Sequence, residues 1–326
     1  IGGWEPISAN TVDEVGYGDC KGLTNYTKAL MDVVGVESYY TVVYAKNKRN
    51  IDKEFTSIQG NHVILNLPNN GKDIWLECTS QTTPFGFLGD FTDDRDVLVV
   101  TPEGGVIKRT TKYVNDANFQ EITGQIQLKP NGNVTAVIKR KSLGIQYDDR
   151  FLIEDKNKED LERYYKSTVW DYNNNLEVLD VALENDKDSV VFREKVKVSI
   201  NNYATVGEQN YLFRLNVFNK ISGVPKRYRK RLMPLKIDRG FTDVDKIKIK
   251  LPKGYKLEAL PRELNIDNKF GTYELRVDKI DEQTLMCYRK YALKGGVYPK
   301  EDYKLYRSFR KKVAKYDNMR IELTKN

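Results

Sequence analysis

The sequence predicts an α+β chain: a helix-and-strand unit, then a mainly β, sandwich-like domain that closes on a C-terminal helix. Three observations carry this. An amphipathic helix early in the chain is followed by several short strands. From residue 119 onward apolar residues alternate with polar ones, the period of half-buried strands. The charge also changes sign. Residues 1–112 hold 11 Lys+Arg and 15 Asp+Glu, so 11 − 15 = −4, and the rest hold 54 − 11 = 43 basic and 46 − 15 = 31 acidic residues, so +12. The expected units are therefore 1–112 and 113–326.

The elements follow in order. Residues 1–15 read as a loop leading to Gly16-Tyr17-Gly18-Asp19-Cys20. Leu23, Tyr26, Leu30 and Val33 then recur at helical spacing, with Gly35 placed to cap the end. Glu37 to Lys46 alternates like a strand. Asn61 to Leu67 and Lys72 to Thr79 read as two more, joined by the turn Pro68-Asn69-Asn70-Gly71. Beyond residue 119, Ile122 to Leu128 and Val134 to Ile138 form a hairpin about Pro130-Asn131-Gly132-Asn133. The segments 190–200, 247–251 and 273–277 repeat the strand pattern and suggest a β-sandwich. Helical patches cover about 159–168 and the stretch from Pro299 through Leu305, Phe309 and Val313 to Tyr316.

The composition, 40% hydrophobic and 31% charged, is that of a folded globular protein. No apolar run approaches the roughly 20 residues of a membrane span. The chain opens on Ile1-Gly2-Gly3-Trp4, with no Met and no basic leader, and reads as a piece of a longer protein. Three cysteines, Cys20, Cys78 and Cys287, argue against a disulfide framework. A zinc site from Cys20, His62 and Cys78 is disfavoured because no ligand pair has finger-like spacing. The basic run Lys226 to Arg231 reads as a solvated loop or strand edge rather than a nucleic-acid site.

Chemistry is expected first at Cys20. Asp19 is a plausible N-cap, which puts Cys20 in the first turn of a helix, where backbone N–H groups and the dipole favour a thiolate. The Cys20 N–H would also help hold an oxyanion. Gly16 and Gly18 permit the tight approach such a turn needs. The single histidine, His62, follows after 62 − 20 = 42 residues, and Glu77 after a further 77 − 62 = 15. If 61–67 and 72–79 pair as a hairpin, Glu77 can face and orient the imidazole. Alternation places Trp75, Glu77 and Thr79 on one face, and Leu76 and Cys78 on the other, so Cys78 is expected to be structural. Taken singly, each residue has a plainer reading: a buried cysteine, a structural histidine, a solvated carboxylate.

Tyr17-Gly18-Asp19-Cys20-Lys21-Gly22-Leu23, Asn61-His62-Val63 and Trp75-Leu76-Glu77-Cys78-Thr79 resemble the motifs of the transglutaminase-like fold, a branch of the papain-like cysteine peptidase superfamily. Thr83-Pro84-Phe85-Gly86 resembles the stretch after the acidic strand in a bacterial group that sets this core between two β-rich domains of unknown function. Gly296-Val297-Tyr298-Pro299 with Asp302-Tyr303 resembles the start of that group's final helix. The family's usual acid is Asp, so Glu77 is one methylene longer. Only 19 residues precede Cys20, so part of the core's amino-terminal side and an upstream β-rich domain are expected to be missing. Trp4 and Tyr17 are the candidates for an oxyanion-hole side chain.

The resemblance implies a thiol enzyme with the triad Cys20, His62 and Glu77, acting on peptide or carboxamide bonds through a thioacyl-enzyme. It leaves hydrolysis and amine transfer open. No metal or organic cofactor is needed, the partner is a peptide or protein substrate, and an extracytoplasmic location is expected. The rival is a catalytically degenerate scaffold that serves as a binding or structural module.

Overall fold

The computed structural model describes residues 3–46 and 48–325. Two compact units result: one runs up to Tyr113 and includes Asp186–Val190, the other spans Val114–Asn185 and continues from Val191. Both are rich in strand, and the chain is α+β with a helix near its C-terminus.

The first unit contains α1 (Ala9–Val15), α2 (Cys20–Val33), β1 (Tyr39–Val43), β2 (His62–Leu67), β3 (Ile74–Leu76), β4 (Asp96–Thr101) and β5 (Gly104–Arg109). The strands form an antiparallel sheet in the order β3-β2-β1-β4-β5. β2 is buried at all six positions. Val43, Ile64, Trp75, Leu88, Val97 and Val99 cluster as a core against the sheet. On the side of α2, Thr24 Oγ1 donates to the Val63 carbonyl at 3.3 Å. Double coverage explains why His-Val-Ile-Leu-Asn-Leu is nearly all apolar instead of alternating.

Two expectations for this unit need correction. Residues 9–15 are a helix rather than loop. The Ser8 hydroxyl accepts from the Thr11 N–H at 3.2 Å, and Gly16, at φ +61°, closes the far end. With two turns and one buried residue, Val12, there is no apolar period to read. The strand expected over 72–79 is only β3, because the chain turns at Cys78 and Thr79. Glu77 therefore lies one residue past the Leu65–Leu76 pair, just off the end of the ladder.

The second unit contains β6 (Phe119–Leu128), β7 (Val134–Leu143), α3 (Ile145–Asp148), α4 (Lys158–Tyr164), β8 (Leu176–Asp186), β9 (Val191–Ile200), β10 (Thr205–Val206) and β11 (Asn210–Arg214). It continues through β12 (Leu235–Ile237), β13 (Phe241–Lys250), β14 (Tyr255–Leu257), β15 (Leu264–Asn268), β16 (Gly271–Asp281), β17 (Thr284–Leu293) and β18 (Gly296–Tyr298). It finishes with α5 (Tyr303–Asp317) and β19 (Arg320–Lys325). One eight-stranded sheet, β15-β16-β17-β13-β6-β7-β9-β8, dominates, beside sheets of four and two strands. β6 and β13 run parallel and join two antiparallel ladders. The sandwich expectation thus holds for strand content but not for layering, since the sheets are very unequal and α5 covers part of the large one. Tyr291 packs on Phe309, and Phe270 on Tyr306.

The covered face carries a buried ionic network. Arg289 makes a two-pronged contact with Asp317 at the end of α5, at 2.7 and 2.8 Å, and reaches Asp245 at 2.9 Å. The Tyr273 hydroxyl donates to Asp317 at 2.7 Å, and Asn219 donates to both Asp243 and Asp245. Further along the sheet Glu194 accepts from the Tyr165 hydroxyl at 2.6 Å and lies 3.5 Å from Arg140. Such groups are tolerated inside because most are paired or hydrogen-bonded, although Arg140 Nε is left without a partner.

Candidate active site

The sequence places Cys20 at a helix start, and the local structure follows from Asp19. Its carboxylate accepts from the Lys21 N–H at 3.1 Å and the Gly22 N–H at 3.0 Å, so two donors of the first turn are satisfied. Lys21 Nζ pairs with the same carboxylate at 2.5 Å. Burial pushes the Asp19 carboxyl up, but the Lys21 and Gly22 contacts outweigh it and hold it below the ordinary carboxylate range. Gly18 lies where a Cβ would meet Leu23 N at 3.2 Å and Val12 at 3.4 Å, so the approach of α1 to the start of α2 needs its lack of a side chain.

His62 opens β2. Asn61 holds the entry by imitating a strand neighbour: its side-chain oxygen accepts from the Ala45 N–H at 2.7 Å, and its amide reaches the Ala45 carbonyl. Gly60, at φ +87°, makes the turn, and a Cβ there would run into Val42. The imidazole is nearly buried. Its Nε2 lies 2.9 Å from Glu77 Oε2 and 3.1 Å from Oε1, and the ring of Phe91 meets it edge-on at 5.1 Å.

Glu77 is anchored in turn. Thr79 gives its hydroxyl at 2.6 Å and its N–H at 3.2 Å to Oε1. Burial acts to raise the Glu77 carboxyl, yet the His62 contact and the two Thr79 donors prevail and leave it lowered. The extra methylene of Glu is thus absorbed by a carboxylate that starts one residue beyond the ladder and folds back on Thr79.

Cys20 and His62 line one cavity of about 130 Å³, together with Trp4, Lys21 and the segment 60–63. That space has room for an amide group. Trp4 thus borders the cavity, whereas Tyr17 is 65% exposed and is not among the lining residues. The other thiols have different surroundings. Burial pushes Cys78 up, beside Thr24 and Thr27 of α2, and pushes Cys287 in β17 up to about 12. No group of His, Cys, Asp and Glu side chains suited to hold a metal ion occurs among the described residues.

Several supporting residues carry no sequence signal of their own. Phe91 is remote in sequence from His62, and the role of Asn61 depends on the path of β1. Tyr40 is another: burial pushes its hydroxyl up to about 12, with Cys20 and Asp19 as lesser causes. Alternation pairs Thr79 with Glu77 in the sequence, but the contact forms in the turn that follows β3.

Residues 209–323 match the family model of DUF3858, a domain of unknown function with a solved structure. No curated protein matches the chain. Among solved structures, the chain is similar to a crystal structure from Parabacteroides distasonis described as "a putative protease". The identity is 13% and the TM-score 0.45, over 97% of this chain and 46% of that one. The chain therefore spans less than half of that protein's length.

Proposed function

We propose that this chain carries a transglutaminase-like thiol site that attacks peptide or carboxamide bonds, with Cys20 as nucleophile, His62 as general base and acid, and Glu77 as the orienting carboxylate. The observation that carries the reading is the His62–Glu77 contact at 2.9 Å, made beside a cavity that Cys20 shares. Glu77 occupies Nε2, so Nδ1 is the nitrogen that takes the thiol proton. The sulfur forms a bond to the carbonyl carbon, and the oxyanion is met by the Cys20 N–H at the start of α2. The C–N bond then breaks as His62 returns its proton to the leaving amine. Water, deprotonated by His62, cleaves the thioester to a carboxylate and regenerates the thiol. An amine in place of that water gives transfer. Hydrolysis is the default, because transfer needs an amine site that excludes water. The match of residues 209–323 lies in the stretch where the sequence resembles the last domain of the bacterial transglutaminase-like group.

Limited alkylation with iodoacetamide at pH 6–7, mapped by mass spectrometry, tests the assignment. Cys20 should label first and should slow in a His62→Ala variant. Preferential labelling of Cys78 or Cys287, or a Cys20 rate indifferent to His62, would favour the degenerate scaffold.

A further inference from the structure

The uncovered face of the eight-stranded sheet holds an arrangement that the thiol site does not use. β7 and β9 pair in register, which sets Lys139 directly opposite Lys195, and Lys141 opposite Arg193. Lys197 follows at the next outward position of β9. Arg193 pairs with Glu184 at 2.7 Å. Lys139, Lys141, Lys195 and Lys197 have no ion-pair partner among the described residues. Two strands beyond, Lys246, Lys248 and Lys250 of β13 lie on the same face, and only Lys246 is paired, with Glu121. Like charges placed directly opposite across a ladder destabilise it. The sheet therefore carries a cost that its own fold does not relieve.

Lys139, Lys141, Arg193 and Lys195 border a cavity of about 470 Å³, whose lining also includes Ala182 and Leu183 of β8 and the carboxylates Glu121 and Glu184, already paired with Lys246 and Arg193. That volume is in the range of ligand clefts, and an apolar wall beside charged stems suits an occupant with both characters. Along each strand the outward lysines repeat every second residue, roughly 6.6–6.8 Å apart. An extended polypeptide repeats its own side chains at that interval. A single-stranded nucleic acid would need aromatic stacking platforms. No outward position of β6, β7 or β9 level with these lysines is aromatic, and Tyr288 of β17, opposite Lys246, is a single ring rather than a row of platforms.

We propose that this cationic face is a docking surface for an extended acidic polypeptide segment, with Lys139, Lys141, Lys195 and Lys197 meeting acidic side chains at alternate positions. The inference is independent of the thiol assignment, because all the residues it uses lie in the second unit.

The test uses the full chain and a fluorescein-labelled ten-residue poly-glutamate peptide, read by anisotropy. A poly-lysine peptide, a single-stranded oligonucleotide and vesicles containing phosphatidylserine serve as competitors for the assignment. Poly-glutamate should bind, and its affinity should fall at least tenfold in a Lys139→Glu/Lys195→Glu variant whose thermal midpoint is not lowered. A Lys226→Glu/Arg229→Glu variant in the basic loop should change it less than twofold. No binding of poly-glutamate, equal loss in the loop variant, or tighter binding of the oligonucleotide or vesicles through the same lysines would overturn the proposal.

Discussion

At the scale of single residues, Glu77 separates a positioning role from a packing one. Glu77→Gln keeps the size and one acceptor but removes the charge that favours an imidazolium. Alkylation of Cys20 should slow and its pH profile should change, while stability changes by about 1 kcal/mol or less. Loss of an orienting carboxylate costs about 10⁴ in kcat in the serine-protease template, an upper guide here. Glu77→Asp should lose more than its chemistry suggests, because the shorter chain must reach His62 from a start beyond the ladder. Rates of Cys20 alkylation against pH and thermal midpoints check both variants, and an unchanged profile in Glu77→Gln would remove Glu77 from the site. Because the folded carboxyl is lowered, the pairing stabilises the fold fully above the unfolded value near ~4.3 and is lost as pH falls through the folded one. Spacing and neighbours single out Cys20, His62 and Glu77 in the sequence, and the structure sets His62 against Glu77. Asn61, Phe91 and Tyr40 are not legible there, since each acts through a neighbour distant in sequence.

At the scale of elements, periodicity revealed those strands whose inward residues are mostly apolar. β9 and the β6–β7 hairpin are such cases, and their burial patterns alternate as expected. β17 carries a comparable break, Arg289 at an inward position between Cys287 and Tyr291, balanced by the carboxylates of Asp245 and Asp317. α1 escaped because its caps, not its face, define it. The β7–β9 ladder offers a test in which changing one element should improve it. Lys195→Glu alone sets an anion opposite Lys139 in place of a like charge, so the second unit should gain about 0.2–1 kcal/mol. Urea unfolding at low salt measures it, and the gain should shrink at high salt as screening shortens the reach of the charges.

At the scale of the whole molecule, the reversal of charge along the chain is legible in the sequence, but the unequal sheets are not. Layering depends on which strands pair across long intervals, as β6 does with β13, and no local pattern encodes that. The buried network predicts how stability responds to pH. Asp243 and Asp245 share a face of β13, and burial raises both, Asp245 to about 6. A carboxyl raised in the folded state binds its proton there between about pH 4 and 6, whereas the unfolded chain releases it. Stability should therefore decline as pH rises through that window, the reverse of the Glu77 effect. Denaturant unfolding across pH 4–8 checks this. Asp245→Asn should flatten the decline whatever its absolute stability, and an unchanged slope would place the titration elsewhere.

The tie between Arg289 and Asp317 also sets an order of events during synthesis. Every strand of the eight-stranded sheet is translated before α5, so the ribosome releases the sheet with a guanidinium whose principal counter-charge does not yet exist. Until residue 317 emerges, Arg289 has only Asp245 to face it, and the surface that α5 will cover stays exposed. Docking of the last helix is thus the step that dries the core, and a nascent chain stalled before it should remain a client rather than a finished domain.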